Sequence, residues 1–285
     1  MLQNKKIGFI GSGNMAEALI SGLVLSKAAR SENIICSDVS EATLAAIREK
    51  YKVAVTTENS EVAEKSEIIV YATKPQILAE IFKETAHALD TSKLIISIAA
   101  GVPLAAIASG LQKELRLIRV MPNICAFVKE SATAIAAGAY ATKEDIALAT
   151  AIFDSVGKSV FIKENILMDA FTGLSGSGPA YIFTIIDAMA DAGVKMGLSR
   201  KDSLFLSTQT VLGSAQLLLE SGEHPGQLKD RVASPGGAAI AGIHTLEQGG
   251  LRTTLINAVE SAAKRSEELG KMMVKEFIET NNKKG

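Results

Sequence analysis

The chain opens with a short apolar run, Ile7-Gly8-Phe9-Ile10, that breaks at Gly11-Ser12-Gly13-Asn14-Met15-Ala16 and passes straight into helical periodicity from Asn14 to Ser26. A strand, a glycine turn and a helix in that order leave few folds open. They match the first half of a dinucleotide-binding βαβ unit, with alanine at the third glycine position. Gly11 permits the tight turn, Gly13 lets backbone N–H groups approach a pyrophosphate, and Ala16 keeps the helix close to the sheet. The helix N-terminus adds unpaired donors and the positive end of its dipole. An ordinary glycine turn has the same spelling, so the weight rests on the strand before, the helix after, and the acidic Asp38 roughly twenty positions further on.

The alternation continues through the first half. Strands are expected at 7–10, 33–38, 53–56, 68–73, 94–99 and 115–121, with helices at 14–26, 40–50, 76–87 and 103–112, the second capped by Ser40. Strands separated by helices of about ten residues mean right-handed crossovers and a parallel sheet. After Ile162 the pattern turns helical, over 179–196, 200–221, 226–233, 236–248 and 251–281. This shift predicts an α/β Rossmann-type dinucleotide-binding domain over residues 1–164 and an all-α domain over 165–285.

A hydrophobic content of 47% against 21% charged residues excludes a disordered chain. A net charge of -1, with no basic block before the last few residues, argues against a nucleic-acid or anionic-membrane binder. Cys36 and Cys125 give neither a disulfide framework nor metal-ligand spacing, and no metal is expected. The uncharged run 94–112 is nearly long enough to span a bilayer, but Ser97, Gly101, Pro103, Ser109 and Gly110 dilute it. It reads as a strand, a turn at Gly101 and a helix opened by Pro103. The N-terminal stretch, interrupted by Glu17, Gly11, Gly13 and Gly22, makes a poor signal peptide, so a reducing, cytoplasmic setting is expected.

Asp38 ends the second strand, where an adenosine ribose would lie. A carboxylate there accepts from both ribose hydroxyls and repels a 2′-phosphate, at about 4 kcal/mol for unit charges about 4 Å apart in an effective dielectric near 20. That favours NAD; the alternative is that Asp38 only caps the turn or the helix near Ser40. No arginine sits in the 37–40 loop, although Arg48, Lys50 and Lys52 are close enough in sequence to fold back. Ala72-Thr73-Lys74-Pro75, Ser97 to Gly101, and Pro122-Asn123 stand at the carboxyl ends of later strands, where a nicotinamide sits; Lys74 and Asn123 are equally readable as loop residues. In the helical half, Gly173 to Ala180 and Ser234 to Ala239 are uncharged, glycine-rich and each precede a helix. Either can form an anion nest or a close helix contact.

Taken together, Gly8 to Ala16, Ala72 to Pro75, Arg119-Val120-Met121-Pro122-Asn123, Gly173 to Tyr181, His224 to Asp230 and Ser234-Pro235-Gly236-Gly237 resemble the pyrroline-5-carboxylate reductases, from residue 6 to about residue 275. The last three motifs are the specific ones. The resemblance implies an enzyme that reduces 1-pyrroline-5-carboxylate to L-proline, the last step of proline biosynthesis, with NADPH or NADH. It also implies a helical domain that forms a homodimer, often assembled further into rings of dimers. Carried over by position, the cofactor contacts fall on Ile10, Gly11, Ser12, Gly13, Asn14, Met15, Asn59, Ala72, Thr73, Lys74, Pro75, Ile98, Ala99 and Ala100. The pocket for the substrate carboxylate falls on Ser234, Gly237 and Ala238.

Three departures stand out. Ala239 occupies the position where the family carries a threonine whose hydroxyl meets the substrate nitrogen. Ile124-Cys125-Ala126 replaces a Thr-Pro-Ala, and Asn165 replaces a carboxylate, with Glu164 beside it as a stand-in. Reduction of a cyclic imine suits so sparse a set of titratable groups, because the cofactor supplies the reactivity and the substrate iminium carries its own proton. A β-hydroxyacid dehydrogenase, which shares the same start, would need Lys and Asn where this chain has Ile182 and Ile186. A reductase of another cyclic imino acid, and a nucleotide-binding regulator without catalysis, remain as alternatives.

Overall fold

The computed structural model describes residues 1–164 and 166–282. Its strands are β1 (Ile7–Ile10), β2 (Ile34–Ser37), β3 (Ala54–Thr56), β4 (Ile68–Tyr71), β5 (Leu94–Ser97), β6 (Arg116–Met121), β7 (Ser131–Ala137) and β8 (Gly157–Phe161). They form one sheet in the order β3-β2-β1-β4-β5-β6-β7-β8. The helices α1 (Asn14–Leu25), α2 (Glu41–Tyr51), α3 (Asn59–Lys65), α4 (Leu78–Thr85), α5 (Leu104–Leu111) and α6 (Lys143–Phe153) lie between them in sequence. Every residue of β1, β2, β4 and β5 is buried, as a sheet covered on both faces requires. Phe9 and Val70 join Leu19 and Leu23 of α1, Ile47 of α2 and Phe153 of α6 in one layer. Ile10 and Tyr71 join Val62 of α3, Phe82 of α4 and Ile107 of α5 in the other.

β1 to β6 are parallel, as the alternation predicts. Two strands that the alternation does not predict extend the sheet at its far edge: β7 runs antiparallel to β6, and β8 is parallel to β7. The chain returns from β6 to β7 through a short 3-10 turn over Ile124–Val128, which forces the reversal. The uncharged run 94–112 is β5, a turn with Gly101 at φ +73°, and α5 with Pro103 at its N-cap. Among the described residues no helix is long and apolar enough to cross a membrane.

Beyond the sheet come α7 (Ile166–Phe171), a π-helical turn over Thr172–Gly176, α8 (Gly178–Lys195), α9 (Arg200–Ser221), α10 (Pro225–Val232), α11 (Ala238–Gln248) and α12 (Leu251–Asn282). By compactness the chain divides into Met1–Gly176 together with everything from Ser261 onward, and a second unit, Ser177–Glu260. The composition shift near residue 164 marks where strands cease. Compactness instead keeps α7 and the later part of α12 with the sheet, where Ser266 donates to Asp169 at 2.7 Å.

The second unit consists of α8 to α11 and the start of α12. Burial within it reaches only Ala190, Ser203 and Ser207. Phe183, Phe205, Leu212, Leu219 and Val232 are all exposed, Leu219 by 84%. Helices of this length without a buried face lack the apolar burial that stabilises a domain, so this surface is built to be covered.

Candidate functional site

The glycine turn joins β1 to α1. Gly11 has φ +92°, and a Cβ there would lie 2.7 Å from Thr73 Cγ2 and 2.9 Å from the Ala72 carbonyl oxygen, so the fold itself demands glycine. Its N–H donates to the Ser37 carbonyl at 3.0 Å. Gly13 differs: it is the N-cap of α1 with φ −67° and ψ −177°, which any residue adopts, and a Cβ on it would meet nothing within 4 Å. As a glycine it has no side chain to cap the helix, so Asn14, Met15 and Ala16 present N–H groups without intrahelical acceptors. Ile10 precedes the turn and is fully buried.

At the end of β2, Ser12 Oγ donates to the Ser37 carbonyl at 2.9 Å, and Ser37 Oγ donates to Asn59 Oδ1 at 2.7 Å. Asn59, the first residue of α3, passes the chain on to Glu84 at 2.9 Å. Asp38 accepts from two backbone N–H groups, Ser12 on Oδ2 and Ser40 on Oδ1, each at 2.9 Å. Ser40 caps α2 as its sequence indicates, accepting from the Thr43 N–H. Lys50 does not fold back toward Asp38. It pairs with Glu17 at 2.8 Å and, with Tyr51, holds the Glu17 carboxyl below the usual carboxylate range.

Along the mouth of the sheet, Thr73 Oγ1 is buried without a hydrogen-bond partner, Lys74 is exposed, and Pro75 opens a 3-10 turn. Ile98 N–H donates to the Tyr71 carbonyl at 3.1 Å, Ala99 is buried with its N–H on Ser97 Oγ, and Ala100 is exposed. Asn123 is more than a turn residue. Its Nδ2 donates to the Ser175 carbonyl at 3.1 Å and to Ser175 Oγ at 3.3 Å, while its Oδ1 accepts from the Cys125 N–H. This anchors the π-helical turn Thr172–Gly176 to the carboxyl end of β6. Sequence reading missed that link because its ends lie 52 positions apart; the polar Asn123 at a strand end was its only local sign.

Glu164, the stand-in carboxylate of the sequence, is engaged through one oxygen, its Oε2 being buried without a hydrogen-bond partner. Its Oε1 accepts from Arg119 at 2.7 Å and from the Leu104 N–H at 3.2 Å, tying β6 to the start of α5. Asn165 lies outside the described residues. Burial pushes the thiols of Cys36 and Cys125 up, so neither is an activated nucleophile.

A dinucleotide fits these residues. The open space at Gly13, the free first-turn donors of α1 and the unpartnered Thr73 hydroxyl together form a cradle that a pyrophosphate and its sugars would complete.

In the second unit, Gly237 is the N-cap of α11, and its N–H closes a turn on the Ser234 carbonyl at 3.0 Å. Ala238 and Ala239 are the first two helical residues, so their N–H groups are first-turn donors beside the exposed Ser234. Position 239 brings no hydroxyl to this helix start. His224 begins the neighbouring α10 with a capping box, its Nδ1 accepting from Gly226 and Gln227 reaching back to its N–H.

Known proteins converge on one family. Residues 165–269 match the family described as pyrroline-5-carboxylate reductase dimerisation, and residues 6–101 match NADP oxidoreductase coenzyme F420-dependent. The pyrroline-5-carboxylate reductase of Methanosarcina acetivorans is 48% identical over 95% of this chain and 100% of its own length. That of Arabidopsis thaliana is 45% identical over 93% of this chain and 95% of its own. The solved structure of a Coxiella burnetii pyrroline-5-carboxylate reductase superposes with a TM-score of 0.90 at 35% identity, covering 94% of this chain and 99% of that one. A Plasmodium falciparum pyrroline carboxylate reductase, solved with NADP bound, superposes at 0.84 and 34% identity over 95% of this chain and 100% of that one. With identity running through both units and across the whole length of its relatives, the chain belongs to the pyrroline-5-carboxylate reductase family.

Proposed function

We propose that this chain reduces 1-pyrroline-5-carboxylate to L-proline at the expense of NADPH or NADH, completing proline biosynthesis. The observation that carries this reading is the identity of 42–48% to pyrroline-5-carboxylate reductases of archaeal, plant and animal origin over more than nine-tenths of the chain. The cradle described above supports it. In this reading Gly11, Gly13, Asn14 and Met15 border the pyrophosphate and Asp38 and Asn59 line the adenosine side, while the buried Ile10 and Ser12, whose donors are spent on Asp38 and Ser37, shape the turn from beneath. Ala72, Thr73, Lys74 and Pro75, with Ile98, Ala99 and Ala100, flank the nicotinamide.

The reduced nicotinamide, when bound, supplies the hydride. The chain's own residues bind and orient. Ser234 and the Ala238 N–H grip the substrate carboxylate, and Gly237, whose own N–H closes the turn on the Ser234 carbonyl, leaves room for the Ser234 hydroxyl. Ala239 leaves the imine nitrogen without a side-chain hydroxyl, and Asn165 is assigned to the substrate side by its position in the family alone. No general acid is needed where the iminium brings its own proton.

The working form in this reading is a cytoplasmic homodimer, assembled further from dimers. Its support is the apolar, uncovered surface of Ser177–Glu260, which a second copy buries. Oxidation of NADH and NADPH by the purified protein, followed with five-membered, six-membered and no cyclic imino acid, tests the substrate assignment. Turnover that depends on the five-membered imine is expected, and preference for the six-membered ring overturns it.

A further inference from the structure

A second pocket, separate from the nucleotide cradle, lies beside the start of α5. Its volume is about 550 Å³, within the range of small-molecule sites. The first turn of α5, the end of β7, α7 and α12 enclose it, all within the first unit. No residue of the cradle or of the Ser234–Ala239 helix start lines it, and Pro103, Leu104 and Val274 give it apolar walls.

Charge lines the rest. The Arg119 side chain is 5% exposed, yet among the described residues its guanidinium donates to a single partner, Glu164 at 2.7 Å. A guanidinium carries five N–H donors in a planar fork that suits a carboxylate. Glu164 in turn keeps its Oε2 buried without a partner. Asp169 accepts from the Ser266 hydroxyl at 2.7 Å and forms no ion pair among the described residues. Lys271, at the rim, is paired with Glu267 at 2.6 Å. Spare cationic donors thus stand beside uncompensated carboxylate charge, in a buried network that is half satisfied. A simple anion is opposed by the carboxylates, and a simple cation by Arg119. A molecule that carries both charges on one carbon, with an apolar body, answers both and the walls as well. We propose that this pocket is a second ligand site that takes a neutral aliphatic α-amino acid. Its carboxylate lies toward Arg119, its ammonium toward Asp169 and Glu164, and its side chain against Pro103, Leu104 and Val274.

Calorimetric titration of the full-length protein with L-leucine tests this, beside isoamylamine and 4-methylpentanoate, which keep the branched chain and one charge each. Saturable binding of L-leucine is expected, with the amine and the acid each weaker by about tenfold or more. Two variants locate the ligand. Ala105→Trp, at an exposed position on the pocket wall, fills the space, and Asp169→Asn removes the charge while keeping the acceptor for Ser266. Each, once shown to be folded by circular dichroism, is expected to weaken L-leucine by about tenfold or more. Absence of saturable binding, or an amine or acid that binds as tightly as L-leucine, overturns the proposal. So does a folded variant that binds L-leucine like the parent, which places the amino acid elsewhere. Should neither variant fold, the comparison of the three ligands on the parent decides.

Discussion

Replacing Gly13 with alanine separates what the fold needs from what a ligand needs. The backbone at Gly13 is extended (φ −67°, ψ −177°) and a Cβ would meet nothing within 4 Å, so the substitution fits the protein without strain. Its effect on folding is confined to a slightly poorer N-cap, within about 1 kcal/mol, or a melting shift of about 2–4 °C in a chain of this size. The new methyl occupies the space through which a pyrophosphate reaches the N–H groups of α1. Losing one charge-assisted hydrogen bond costs roughly 1.5–3 kcal/mol, which weakens cofactor binding about ten- to a hundredfold. Gly11→Ala is the contrasting control. At φ +92° and 2.7 Å from Thr73 Cγ2 it adds about 1–2 kcal/mol of backbone strain and a further 1–3 kcal/mol of overpacking, and lowers the melting temperature outright. Because the chain has no tryptophan, the fluorescence of NADH itself is the binding signal, with thermal denaturation of the free protein measured alongside. A Gly13→Ala protein that binds NADH like the parent places the pyrophosphate elsewhere and refutes the reasoning; one that unfolds shows the space was not free.

Three further outcomes are expected. Ala239→Thr restores a hydroxyl to the first turn of α11 and raises kcat/KM for pyrroline-5-carboxylate by about ten- to a hundredfold, as one hydrogen bond to a charged nitrogen is worth roughly 1.5–3 kcal/mol; an unchanged or lower rate, with a larger imine the better substrate of the parent, means the alanine is an adaptation. Static light scattering at micromolar concentration gives at least a dimer, and a stable monomer contradicts the reading of the exposed apolar helices. Lys93, only 9% exposed, donates to the carbonyls of Ala63, Glu64 and Ser66 at the end of α3, so Lys93→Met costs about 2–4 kcal/mol in chemical denaturation, and a loss under about 1 kcal/mol means those carbonyls find other donors.

What was legible in the sequence followed from local signals. The range 200–221 for α9 agrees with the structure because Ser199 caps its start and Gly222, at φ +63°, ends it. The glycine turn was legible because a fully buried strand and an uncapped helix frame it. β7 and β8 escaped for opposite reasons. Ser131–Ala137 is mostly alanine, with Thr133 and Ile135 its only branched residues, and Gly157–Phe161 lies at the exposed edge of the sheet and opens with Gly, Lys and Ser, leaving only Val160 and Phe161 to mark a strand. Pairings between distant positions left no local trace. Glu164 looked like a spare carboxylate because Arg119, its partner, stands 45 positions earlier. Asp38 looked like either a cap or a ribose acceptor because Ser12, 26 positions away, had not yet been folded against it.

The central claim is that this chain turns a reduced nicotinamide and a five-membered imino acid into proline. Chiral chromatography of a reaction containing the purified protein, NADH and pyrroline-5-carboxylate measures it directly, with the oxidised cofactor quantified in the same sample. One L-proline formed for each NADH oxidised, and neither product when protein or imine is omitted, is the expected result; cofactor oxidised without proline, or no oxidation with either NADH or NADPH, contradicts the account.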